Sequence, residues 1–285
     1  MVAQWQRLVI RRRRQLRAAL FYLFLAVIVG VFIVPLYWTV ISSFKKTSDL
    51  FSEVPQWLPQ APTLASYAEV LSRQLFLTNL ANSFFVASAT TIFAVILGGL
   101  AAYSLSRYGF PGREAIGQII LFATMVPAVL LVIPLYKVMA QLNLLNSLAA
   151  LVLSYTSFAL PFSTWMFRGY FRSIPRDLDD AALIDGCTRP EALFRVIIPV
   201  SLPGMAAVAT LAFLTAWREF LFALVFIDSE ELKTITLAIA NFIVRLHVDW
   251  GAMLAGGTIA MIPILIVFMF FQRYIVEGLT AGAVK

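Results

Sequence analysis

The side chains of this chain that could do chemistry are few. Cys187 is the sole cysteine and His247 the sole histidine, so neither a disulfide framework nor a zinc cluster can be assembled from this chain alone. Cys187 follows Gly186 and has no histidine or lysine neighbour to favour a thiolate, so it reads as a passive small residue. His247 reads as a solvated loop residue. The phosphate-cradling pattern G-x-x-x-x-G-K-[ST] is absent, as are the G-x-S-x-G elbow and the H-E-x-x-H helix. No nucleophile, base or metal set is left from which to build an enzyme, and no phosphate-binding loop with which this chain could hydrolyse ATP.

Charge concentrates instead between Arg168 and Gly186, in the run Arg168-Gly169-Tyr170-Phe171-Arg172-Ser173-Ile174-Pro175-Arg176-Asp177-Leu178-Asp179-Asp180-Ala181-Ala182-Leu183-Ile184-Asp185-Gly186. Its punctuation predicts a short helix. Pro175 suits a first turn, Asp177, Asp179 and Asp180 sit where the helix dipole favours anions, and Gly186 suits the left-handed residue after the last turn. Thr188 and Glu191 have the spacing of a capping box, with Pro190 between them. They predict a second short helix through Arg195 to Ile198, set at nearly a right angle to the first. A solvated connector would account for the acids and arginines. It has no use for Leu178, Ala181, Ala182 and Ile184, which put small and apolar side chains on a helix between apolar runs. Small residues let another backbone approach, so that face is expected to meet a protein partner.

A second charged pair, Arg218 and Glu219, interrupts an apolar run. Charge at membrane depth faces protein or a water-filled cavity, so the pair could line a solute path or serve as an ion pair or interfacial anchor. Asn79, Asn82, Tyr155 and Asn241 could bond a solute hydroxyl or satisfy their own local backbone.

The elements that must position these residues follow from composition. Of 285 residues, 61% are hydrophobic and 13% charged, more apolar surface than one water-soluble core can hide. Apolar runs cover 19–41, 80–103, 116–136, 147–167, 202–227 and 254–272. Each is about as long as the 20 residues that cross a bilayer as a helix, and unpaired backbone in lipid is too costly for anything else. Pro35, Pro127, Pro134, Pro161 and Pro263 fall inside these runs, where proline kinks a helix. The first run is about twice the length of a signal-peptide core and is read as retained.

The net charge of +7 sits at the ends of these runs and forms no stripe interleaved with aromatics, so a nucleic-acid partner is not expected. Arg7, Arg11, Arg12, Arg13, Arg14 and Arg17 precede the first span and place the N-terminus in the cytoplasm. Six crossings return the C-terminus to the same side. Arg107, Arg113, Arg168, Arg172, Arg176, Arg189, Arg195, Arg273 and Lys285 then also fall inside, against Lys45, Lys46, Arg73, Lys137, Lys233 and Arg245 outside. The expected organisation is a basic N-terminus over 1–18, an all-α transmembrane domain over 19–272 with a cytoplasmic loop at 169–201, and a cytoplasmic tail over 273–285. External stretches 42–79 and 228–253 are long enough to meet a partner outside the membrane. No inverted repeat is visible, so one chain is expected to need a second to enclose a pathway.

The run Asp180-Ala181-Ala182, then Asp185-Gly186, Ile198-Pro199 and Pro203-Gly204, resembles the "EAA" loop of bacterial ABC importer permeases. Phe110-Pro111-Gly112, Ile133-Pro134-Leu135-Tyr136, Trp217 with Glu219-Phe220-Leu221-Phe222-Ala223-Leu224, and the tail from Gly278 to Lys285 resemble its carbohydrate-uptake branch, specifically the second permease of maltose-type importers. The departures are Asp180 for the usual Glu, Ile198 for Leu, Cys187 for Ala or Ser, and Arg218 where Asn is common.

The resemblance implies a type I importer permease fold in the bacterial inner membrane. It further implies a coupling helix of Leu178, Asp180, Ala181, Ala182, Ile184, Asp185 and Gly186 docked on an ATPase and supported by Pro175, Ile198, Pro199 and Pro203. A tail of Gly278, Leu279, Thr280, Gly282 and Ala283 would contact the same ATPase, and Glu219, Arg218, Asn82 and Tyr155 are candidates for the solute path. Implied partners are a homologous second permease, two copies of an ATP-binding subunit carrying ATP and Mg, an extracytoplasmic sugar-binding protein and the lipid bilayer. No cofactor is expected on this chain. The expected cargo is a di- or oligosaccharide, with a non-sugar solute such as a glycerol phosphate compound as the alternative within the family. An ion-coupled transporter or channel would need intramembrane acids, for which Glu219 alone is thin support.

Overall fold

In a computed structural model the chain is described over residues 2–244 and 247–281. It is almost entirely helical and divides into two compact units, Met1–Val70 with Val248–Thr258, and Leu71–His247 with Ile259–Lys285.

The first unit is dominated by α1 (Val2–Ser43), whose apolar side chains from Leu16 to Tyr37 are exposed. Apolar side chains exposed all round a helix over this length belong in lipid or against another chain. After it come a 3₁₀ turn (Thr47–Phe51) and α2 (Ala65–Ser72). Lys45 is 2% exposed: its ammonium donates to the Gln56 carbonyl at 2.6 Å and lies 4.1 Å from the Trp38 ring, so its charge is satisfied internally.

The second unit is built on α3 (Phe76–Arg107), α6 (Leu148–Ser173) and α9 (Ile198–Trp217). Ala94, Gly98 and Ala102 recur at every fourth position of α3 and are buried. A Cβ added to Gly98 would lie 3.1 Å from Ser163 Cβ and 3.3 Å from the Thr164 backbone nitrogen. The two backbones therefore touch through a stripe of small residues, the means by which helices associate where lipid offers no hydrophobic drive. Gly204 does the same for α9, where an added Cβ would fall 2.5 Å from the Tyr170 ring.

Between these helices lie α4 (Arg113–Met125) and α5 (Ala128–Gln141), bent 100° from each other. The third apolar run is thus a broken span. Pro127 offers no N–H to the preceding turn and drives Val126 to an extended ψ of 120°, which stops α4. Pro35, Pro134, Pro161 and Pro263 lie inside helices.

The fifth span is displaced from its expected limits. It runs as one apolar helical stretch over Arg189–Trp217, and the chain turns at Arg218 before α10 (Leu221–Phe226). Next are α11 (Ile235–Ala240), a pair of two-residue strands, β1 (Ile243–Val244) and β2 (His247–Val248), and α12 (Trp250–Ala281). Among the described residues five helices are long and apolar enough to cross a membrane, six if the bent pair counts as one. The tail expected from 273 is a continuation of α12, which carries Gly278, Leu279 and Thr280; Gly282 and Ala283 lie outside the described residues.

Candidate functional site

The loop between α6 and α9 folds as its punctuation predicts, with three amendments. Its first helix, α7 (Asp177–Ile184), carries Asp177, Asp179 and Asp180 in the opening turn, where the unpaired N–H groups favour negative charge. Gly186 has φ +87°; its N–H donates to Leu183 O at 3.1 Å and the Cys187 N–H donates to Ala182 O at 3.0 Å. That pair of bonds is a Schellman closure, which needs a left-handed residue at position 186. Thr188 then forms a complete capping box, its N–H donating to Glu191 Oε2 at 2.9 Å while its hydroxyl accepts from the Glu191 N–H.

The first amendment is that Pro175 lies outside α7, just before the N-cap Arg176, and the second concerns the next helix. α8 (Arg189–Ala192) does not end as a short cytoplasmic piece. It passes through a π-turn over Leu193–Ile197 straight into α9, so Ile198, Pro199 and Pro203 belong to the start of a transmembrane helix. Pro199 has no N–H for the Arg195 carbonyl and its ring crowds that oxygen; the wider turn, closed by Ile198 N–H on Leu193 O, accommodates both.

The third amendment concerns which side of α7 is free. Ala182 is 5% exposed and faces this chain's own interior, so it cannot be a direct contact for another protein. The open face is Leu178, Ala181 and Ile184, with Asp180, Asp185 and Gly186 also exposed. Ile184 is 86% exposed, an apolar side chain left in the open.

α7 is held from below by the last turn of α3. The Asp179 carboxylate accepts from the Tyr103 hydroxyl at 3.0 Å and lies 3.0 Å from Arg107 Nε, with both charged side chains largely out of water. Arg107 Nη1 also donates to Ile174 O at 3.2 Å, and Arg176 Nη2 to Ser106 O at 3.3 Å. In the sequence Arg107 reads only as a topological charge. Nothing local marks a partner 72 positions away. A neighbouring tie, Arg168 and Arg172 to Glu114 at 2.6 and 2.9 Å, fastens α6 to α4.

The candidates for the solute path are spent on their own fold. Glu219 accepts from the Phe222 N–H at 3.0 Å and the Ala223 N–H at 3.4 Å, which starts α10, so it is a helix cap. Asn82 donates to Glu231 O at 2.7 Å and Lys233 O at 3.1 Å. Tyr155 is 1% exposed against Phe158 and Phe222, and Arg218 is the exposed C-cap of α9. Tyr155 and Glu219 lie together, with Arg218 next to Glu219 in the chain, whereas Asn82 is tied to the segment at Glu231 and Lys233. Asn146 is a further residue that ties this region together. Left-handed at φ 56°, it accepts from the Asp228 and Ser229 N–H groups at 3.1 and 3.0 Å; asparagine's tolerance of that conformation was the available signal.

Residues 94–280 match the family described as binding-protein-dependent transport system inner membrane component. The chain belongs to this family. As an inner membrane component it is 40% identical over 251 residues to the sulfoquinovosyl glycerol transport system permease protein of Agrobacterium fabrum, covering 88% of each chain. It is 37% identical to the trehalose/maltose transport system permease protein of Thermococcus litoralis, covering 88% of this chain and 91% of that one. A solved bacterial ABC transporter involved in import of the acidic polysaccharide alginate superposes with a TM-score of 0.75 at 25% identity, covering 90% of this chain and 96% of that one. The inner membrane component is therefore a multi-pass ABC importer permease by fold as well as by family.

Proposed function

We propose that this permease forms half of the path by which an ATP-driven importer takes up a di- or oligosaccharide or another glycoside, and that α7 is its docking element for the ATP-binding subunit. The observation that carries the docking reading is Ile184, 86% exposed at the end of a helix that is held to the bundle through Asp179 and the buried Ala182. Leaving such a side chain in water forgoes about 2 kcal/mol of burial, which a partner's groove recovers. The cargo class is supported by relatives named for sulfoquinovosyl glycerol, diacetylchitobiose, trehalose/maltose and trehalose transport.

Contacts put Arg107, Arg113, Arg168, Arg172 and Arg176 at one end of the second unit, with α7 among them. By the positive-inside rule this end and both termini are cytoplasmic. The partners in this reading are a second permease, two ATP-binding subunits that hold ATP and Mg, and an external sugar-binding protein. Neither ATP nor a metal binds this chain. Closure of the ATP-binding subunits displaces α7, and the spans follow to open the path alternately to each side.

The test is purification of the whole importer from its own gene cluster, followed by Ile184→Cys cross-linking to the ATP-binding subunit and uptake of labelled trehalose, maltose and diacetylchitobiose into proteoliposomes. A cross-link and uptake of one of these are expected. No cross-link refutes the docking reading; uptake of none, with uptake of a glycerol phosphate compound instead, refutes the sugar assignment.

A further inference from the structure

α7 is joined to the helix bundle by the chain at both its ends, by packing against the π-turn and by a cluster of polar side chains. At its C-terminal end the chain leads through Thr188 into α9 by way of the π-turn, where the backbone bonding is already irregular. The polar cluster leads to α3 instead. Asp179 accepts a hydrogen bond from the Tyr103 hydroxyl at 3.0 Å and forms an ion pair with Arg107 Nε at 3.0 Å, both on α3; Arg107 reaches on to Ile174 O just ahead of α7, and Arg176 reaches back to Ser106 O. The Arg107 side chain is 6% exposed and that of Asp179 15%, so neither charge can leave the other without being stranded out of water. α3 in turn lies on α6 with no slack, as the contacts of an added Cβ at Gly98 show. A push on α7 therefore enters α3 through this ion pair and the hydrogen bonds around it.

We propose that Arg107, together with Asp179 and Tyr103, is the positioning cluster that locks α7 to α3 and carries its displacement into the bundle. The transmission role rests on α7 being the docking element, whereas the locking role does not. In the purified importer, spin labels on native Cys187 and on Ser104→Cys report the distance between the end of α7 and the end of α3. A narrow distribution is expected in the parent and in Arg107→Lys, which keeps the charge, and a broad one in Arg107→Ala and Asp179→Asn. In the same preparations without labels, ATP hydrolysis is measured with and without the external binding protein. Arg107→Ala and Asp179→Asn are expected to keep the ATP-binding subunit bound but to raise hydrolysis in the absence of binding protein by about five-fold or more. The double variant Arg107→Asp with Asp179→Arg should recover part of the dependence. Unchanged distances and unchanged hydrolysis in both single variants would overturn the proposal. Failure of Ile184→Cys to cross-link to the ATP-binding subunit removes the docking reading and with it the transmission role, while the distance measurement still decides whether the cluster locks α7.

Discussion

Gly186 offers the sharpest single-residue test because its two possible roles separate cleanly. Its φ of +87° is closed to most side chains, yet a Cβ built there has no heavy atom within 4 Å. Space is therefore not the constraint; backbone conformation is. A non-glycine residue held left-handed costs about 1–2 kcal/mol, more if β-branched, and asparagine much less. At stake are the two closing bonds, Gly186 N–H to Leu183 O and Cys187 N–H to Ala182 O, which set where the chain leaves α7 for the capping box at Thr188. A loss of 1–2 kcal/mol reduces the closed population about five- to thirty-fold relative to the opened one. Gly186→Val is expected to insert normally but to lose most ATP-binding subunit on purification and to lose uptake, while Gly186→Asn keeps most of both. The assay is co-purification of the two subunits from membranes with matched amounts of permease. Equal loss in both variants would mean that bulk at the partner's surface decides the outcome. No loss in either would mean that the left-handed closure is dispensable, and the reasoning from φ would be refuted.

Gly98→Val should overpack the α3–α6 contact and destabilise the protein by about 1–3 kcal/mol, read as a lower thermal midpoint in detergent, whereas Gly99→Val, with its nearest contact at 4.0 Å, should be much milder. Thr188→Ala removes the capping box and should cost about 1 kcal/mol, with Thr188→Ser restoring most of it in the same melting assay. Ala182→Arg should lower the amount of folded permease in the membrane as well as ATP-binding subunit retention, because Ala182 faces inward; normal folding with retention lost would restore it to the docking face. A reporter after Lys285 should be cytoplasmic and tags near Gln60 and Glu231 reachable from outside; external labelling of the C-terminus would refute the orientation.

Amino-acid order alone determined whatever depends on a residue and its neighbours within a turn or two. The apolar runs marked the spans because the cost of bare backbone in lipid leaves helix as the only solution for such lengths. The closure at Gly186 and the box between Thr188 and Glu191 were legible because both are made of bonds spanning at most five residues. What the sequence could not show is how these pieces lean on one another. Pro127 announced a disturbance in the third span, but only the folded chain makes it a bend of 100°. Glu219 looked like a charge buried in a span and is a cap for α10, since the fifth span starts at Arg189 and has already ended at Trp217. Leu178, Ala181, Ala182 and Ile184 formed one apolar set in sequence; packing against the π-turn buries Ala182 and leaves Ile184 bare. Arg107 meets Asp179 only because α3 and α6 close on each other along a stripe of small residues, bringing the end of α3 beneath α7. Hydropathy and capping are local free energies, written residue by residue. The pairing of two buried charges 72 positions apart is a property of the packed backbone, and exists only once the helices have found each other.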